Sequence, residues 1–170
     1  MIPIHFADRE SREQLFAALP QAPSVAQPVQ EIIDRVRREG DAALMALTER
    51  FDGVRLSALR VSEQEMDEAT RQVDEKLLAT MTQAAKNIRA FHSQQMRVSF
   101  VVHPRPGVTA GQRVVPLERV GLYVPGGTAA YPSTVLMNAI PAAIAGCKGI
   151  AIATPPGRDG RVNPAILAAA

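Results

Sequence analysis

The residues best placed to do chemistry lie in the stretch Leu122-Tyr-Val-Pro-Gly-Gly-Thr-Ala-Ala-Tyr-Pro-Ser-Thr-Val-Leu-Met137. A short apolar run carrying Tyr123 ends in Pro125-Gly126-Gly127 and is followed by the hydroxyls of Thr128, Ser133 and Thr134. A strand that passes through a glycine loop into a helix N-terminus brings free backbone N–H groups and the positive end of a helix dipole to one spot. An anion or a nucleotide can sit there. The glycine pair matches neither the Gly-x-Gly-x-x-Gly fingerprint nor a phosphate-binding Gly-x-x-x-x-Gly-Lys-Ser loop, and a plain turn needing positive φ is the competing reading. Tyr123 serves either such a site or the core, with its hydroxyl satisfied.

The other reactive side chains are scattered. His92 follows Phe91 at the end of a long helical pattern, where a cation is favoured; His103 stands among prolines, and His5 lies near the N-terminus. None has the second histidine or carboxylate at the spacing of a catalytic or metal pair. Cys147, between Gly146 and Lys148, reads either as a thiol favoured by the lysine or as a small buried residue before a strand.

These residues need elements to hold them. Residues 9–19 read as a short helix closed by Pro20. Val29, Ile32, Ile33 and Val36 recur at helical spacing ahead of a C-cap at Gly40. Asp41 is positioned to cap a helix showing Leu44, Leu47 and Phe51 to the core, and Leu59 to Val61 reads as a brief strand. Ser62-Glu-Gln-Glu65 has the capping-box pattern. From about Asp74 a longer helix carries Leu77, Leu78, Met81, Ala84, Ala85, Ile88 and Phe91 on one stripe.

After Arg97 the period changes from helical to alternating, with Val98, Phe100 and Val102 on one face. Two extended segments are expected, joined at Pro106-Gly107. Leu122 to Val124 forms the strand into the glycine loop, and Ser133 or Thr134 caps the helix beyond it, which Pro141 should kink or restart. Gly149 to Thr154 is an apolar run like a buried parallel strand, and Asn163-Pro164 opens a further helix. The expected fold class is therefore α/β. A mainly helical region over 1–96 and a β-rich connection over 97–121 precede the beginning of an incomplete open sheet over 122–170. Ala170 falls within the second turn of its helix with no C-cap, and two parallel strands are too few for such a sheet. The expectation is the N-terminal part of a longer protein.

Composition narrows the function classes. With 46% apolar residues in a chain of 170 there is material for a packed core. No run approaches the roughly 18 apolar residues of a membrane helix, so a cytoplasmic protein without membrane contact is expected. The 19 basic and 17 acidic residues are interspersed and give +2. With no Trp, five Phe and two Tyr, neither a basic face nor a stacking platform for nucleic acid is in view.

The stretch from Glu118 to Ala142, with Glu49-Arg-Phe-Asp-Gly53 and Asn87-Ile-Arg-Ala-Phe-His92, closely resembles the signature segments of the histidinol dehydrogenase family. The resemblance covers the whole chain and well under half of the family's usual length. It implies an enzyme of histidine biosynthesis with incomplete Rossmann-like domains, using two NAD molecules in succession to oxidise L-histidinol through the aldehyde to L-histidine. It also implies a homodimer, a zinc ion that positions substrate, and a Glu-His pair for acid-base chemistry. Carried over, Tyr123 matches the NAD-contacting tyrosine, with Pro125, Gly126, Gly127 and Thr128 lining the same pocket. The zinc ligands and the Glu-His pair belong to later motifs, so this chain is not expected to turn over by itself. A relative acting on another small alcohol, or a non-catalytic oligomerisation module built on the helical half, are the alternatives.

Overall fold

The computed structural model describes residues 24–126 and 129–170; the chain divides after Gly40 into two compact units. The expected helix over 9–19 and His5 lie outside the described residues. In the first unit, α1 (Ala26–Glu39) forms where Val29, Ile32, Ile33 and Val36 predict it, and none of its residues is buried. Its surface is tied at i,i+4 spacing by Gln27 to Glu31, Gln30 to Asp34, and Arg35 to Glu39 at 2.9 Å. Gly40 closes it, donating its N–H to the Val36 carbonyl at 2.8 Å.

The second unit opens with α2 (Asp41–Asp52), in which Asp41 is a first-turn residue rather than the cap. Its core face is Ala43 and Leu47. Leu44 and Phe51, expected inward, are exposed, and the Arg50 guanidinium lies 5.1 Å from the Phe51 ring centroid instead. Leu59 to Val61 form no strand. An isolated triplet gains no ladder bonds unless another strand lies beside it.

Helix α3 (Glu63–Gln72) begins with both halves of its capping box formed: Ser62 Oγ accepts from the Glu65 N–H, and Glu65 accepts from the Ser62 N–H. α4 (Glu75–Ser93) is capped by the Asp74 carboxylate, which accepts from the Lys76 and Leu77 amides at 2.9 and 3.2 Å. Met81, Leu78, Ala84, Ala85 and Ile88 of its stripe meet Leu136, Ile140 and Ile144 of α5 (Pro132–Ile144). Each side chain fully buried there contributes about 1.5–3 kcal/mol. Leu77 and Phe91, at the two ends of the stripe, are exposed. Leu78, one position on from Leu77, packs against the cluster, so the buried face at that turn is centred on Leu78, and Phe91 lies edge-on to the His92 ring instead.

The β segments form two separate two-stranded sheets. β1 (Phe100–Arg105) and β2 (Val108–Gln112) make the antiparallel hairpin expected at Pro106-Gly107, extended by the Val114 N–H donating to Ser99 Oγ at 2.8 Å. β3 (Arg119–Tyr123) pairs in parallel with β4 (Gly149–Ala153) across α5, in register from Arg119 beside Gly149 to Tyr123 beside Ala153. β4 is not buried on both faces: Ile150 and Ile152 are half-buried while Ala151 and Ala153 are exposed. Period-two alternation turns one set of side chains toward the helices and the other away.

The expected caps of α5 are corrected too. Ser133 and Thr134 lie inside the first turn, because Pro132 takes the first helical position, where its missing N–H and fixed φ are at no disadvantage. Pro141 does not restart the helix, which runs unbroken to Ile144. Leu136 and Ile140, buried on either turn, hold it through the one backbone bond lost. Gly146, at φ +87°, ends it: the Gly146 N–H reaches the Ala143 carbonyl and the Cys147 N–H the Ala142 carbonyl. Finally Asn163 Oδ1 accepts from the Ala165 N–H at 2.9 Å and Pro164 starts α6 (Pro164–Ala169), as the sequence indicates. Val124, Val135 and Ile166 form a second core cluster between β3, α5 and α6.

Candidate functional site

Everything at the site follows from where β3 stops. The Val124 N–H donates to the Ala153 carbonyl at 2.9 Å, carrying the ladder one residue past the strand, and Val124 is 0% exposed beneath Val135 and Ile166. Alternation then turns its neighbour the other way: Tyr123 is 67% exposed, and its ring stands at the carboxyl end of β3 outside both core clusters. Pro125 is exposed and Gly126 half-buried. Gly127 and Thr128 lie outside the described residues.

Gly126 is glycine for a reason the local pattern does not carry. It is not among the glycines with positive φ. A Cβ on it would lie 3.1 and 3.3 Å from Cγ and Cδ of Pro155 and 3.2 Å from Oγ1 of Thr154. The backbone after β3 is thus pressed onto the segment leaving β4, a close approach rather than a left-handed turn. Thr154 Oγ1 is itself buried and has no hydrogen-bond partner among the described residues.

Beside this junction opens a cleft of about 320 Å³, whose walls include Glu65 and Glu68 of α3, Gly126, Pro155, Asp159 and Arg161. Tyr123 and Pro125 are not on its lining; Gly126 alone of the described expected residues is. Reading along the chain missed the α3 wall and the segment Asp159 to Asn163. The one available signal was the capping box, which fixes Glu65 at a helix end. The Ser62 backbone N–H and then its hydroxyl, at 2.9 and 3.0 Å, hold the Glu65 carboxyl below its usual range, with a smaller push from the charge of Arg161 against a small opposing desolvation.

The remaining candidates have local partners. His92 Nδ1 pairs with Gln95 Oε1 at 2.7 Å at the end of α4, its ring edge-on to Phe91. His103 Nδ1 meets Thr109 Oγ1 at 3.2 Å across the hairpin. Cys147 is a half-buried free thiol. Among the described residues no three His, Cys, Asp or Glu side chains come together as a metal would require. No described helix is long and apolar enough to cross a membrane.

The fold and the junction define a mixed α/β protein whose parallel strand-helix-strand unit presents a tyrosine and a glycine at its carboxyl edge. Residues 18–170 match the family model for histidinol dehydrogenase, and the chain belongs to that family. It is 54% identical over 142 residues to the histidinol dehydrogenase of Geobacillus kaustophilus, covering 84% of this chain and 34% of that one. With the histidinol dehydrogenase of Chlorobaculum tepidum the identity is 48% over 168 residues, 98% of this chain and 39% of the relative. The crystal structure of histidinol dehydrogenase from Elizabethkingia anophelis superposes with a TM-score of 0.85 at 36% identity, over 94% of this chain and 37% of that one. The chain spans between a third and two-fifths of the length of the relatives it matches.

Proposed function

We propose that this chain is the N-terminal portion of an NAD-dependent, zinc-requiring histidinol dehydrogenase, a cytoplasmic homodimer in its whole form, with one side of the NAD pocket built by Tyr123, Pro125, Gly126, Gly127 and Thr128. The observation that carries the reading is the junction at Gly126, in a chain of this family: a strand end with an exposed tyrosine, packed closely enough against the exit of a parallel neighbour that a Cβ would fit only tightly. In an open sheet of Rossmann type this carboxyl edge is where a dinucleotide lies. Residues 122–170 are its first part.

Bound at this edge, NAD would supply the hydride acceptor for the two successive oxidations of L-histidinol through the aldehyde to L-histidine. This chain's residues bind and orient. Tyr123 offers a flat exposed ring, the lack of a Cβ on Gly126 lets the loop pack against Pro155 and Thr154, and Pro125 limits the conformations of the loop. The described residues do not fit a zinc site, so no step through the metal is assigned to them.

The test is histidinol-dependent NAD reduction with zinc present. The 170-residue chain alone is expected to give no turnover; robust turnover would overturn the division of labour proposed here. A second reading, a self-associating module, is favoured by one feature: the hairpin and its flanks leave Val98, Phe100, Val101, Val102, Val115 and Leu117 exposed.

A further inference from the structure

The buried hydroxyl of Thr154 has no role in the fold described so far. It stands one residue past β4, under Gly126, with no hydrogen-bond partner among the described residues, while its neighbours Val124 and Ala153 complete the ladder. A buried donor without a partner destabilises the state that contains it, and a valine of the same shape would avoid that cost. A threonine that works against stability at the carboxyl edge of two parallel strands is the pattern expected of a site residue.

We propose that Thr154 is a positioning residue for the nucleotide crevice. With a dinucleotide at the edge of β3 and β4, its hydroxyl hydrogen-bonds the Gly126 peptide and fixes the start of the glycine loop against Pro155. The close packing at Gly126 keeps the two groups within a small displacement of each other. Because the bond forms in the filled state and not in the empty one, it adds to affinity rather than to the stability of the free chain. The inference rests on the NAD reading of this edge.

The test uses the 170-residue chain, followed by amide NMR as NAD is added, together with its thermal midpoint in the absence of NAD. In the unsubstituted chain the Gly126 amide is expected to shift saturably. Thr154→Val should raise the half-saturating NAD concentration about fivefold, the equivalent of one neutral hydrogen bond, while leaving the ligand-free midpoint unchanged or higher. Thr154→Ser, which keeps the hydroxyl, should titrate close to the unsubstituted chain. Should Thr154→Val not fold, Thr154→Ala against Thr154→Ser gives the same comparison. Equal titration with and without the hydroxyl, or an equal loss in Thr154→Ser, overturns the role of Thr154 and leaves the NAD reading intact. No shift of the unsubstituted chain with NAD overturns the NAD reading itself.

Discussion

At the scale of single residues, Glu65 shows how a sequence motif becomes a measurable property. Its carboxylate accepts from both the N–H and the hydroxyl of Ser62, so its folded-state pKa lies below the unfolded one. The sign follows: the carboxylate's contribution to stability is fully present above the unfolded pKa and is lost as pH falls through the depressed folded value. Urea midpoints measured from neutral pH into the acid range should therefore drop more steeply for the unsubstituted chain than for Glu65→Ala, and equal slopes would show that the box contributes nothing. The group is fully exposed, so salt should reduce the Arg161 part of the effect and leave the hydrogen bonds. Ser62 and Glu65 were legible because a capping box is complete within four residues. Gly126 does not have the positive φ of a plain turn; its constraint comes from Thr154 and Pro155, nearly thirty positions on, and no local pattern encodes that approach. Sequence alone allows Tyr123 either core or surface; alternation about the buried Val124 puts it at the surface.

At the scale of elements, caps and stripes carried most of the legible information. Asp74 and Asn163 cap the helices they precede because a short polar side chain can reach the free N–H groups of the first turn. Asp74→Ala should cost about 1 kcal/mol of unfolding free energy. That loss is measurable in urea, and an unchanged midpoint would mean that α4 is held by its packing on α5 alone. What the stripes did not show was their length of cover. Leu77 and Phe91 share the period of Met81 and Ile88, yet both are exposed, while Leu78 beside Leu77 packs on the cluster. Ser133 and Thr134 had the right chemistry for caps and lost the position to Pro132, whose geometry starts the helix earlier. Pro141 does not restart the helix, in which Leu136 and Ile140 are both buried.

At the scale of the molecule, the hairpin β1–β2 poses the sharper question. Strand alternation can hide one face of a two-stranded ribbon against a core, but here both faces are exposed, and the register places Phe100 opposite Gln112 and Val102 opposite Ala110 on one of them. The other face carries Val101 opposite Gly111 together with the polar pair of His103 and Thr109. An apolar face of this kind, with strand edges open beside it, favours contact with another chain. The occupant consistent with the self-associating reading is a second copy, since the same face on each copy is self-complementary about a two-fold axis. Light scattering behind size exclusion should then give a mass above that of one chain. The double substitution Phe100→Thr and Val102→Thr keeps β-branched residues in the strand, so the hairpin is retained while its apolar area shrinks. The expected outcome is a shift toward the single-chain mass with the far-ultraviolet circular dichroism unchanged. A mass unaffected by the substitution would place the contact elsewhere, and a single-chain mass before it would leave the nucleotide-pocket reading without a rival in this chain.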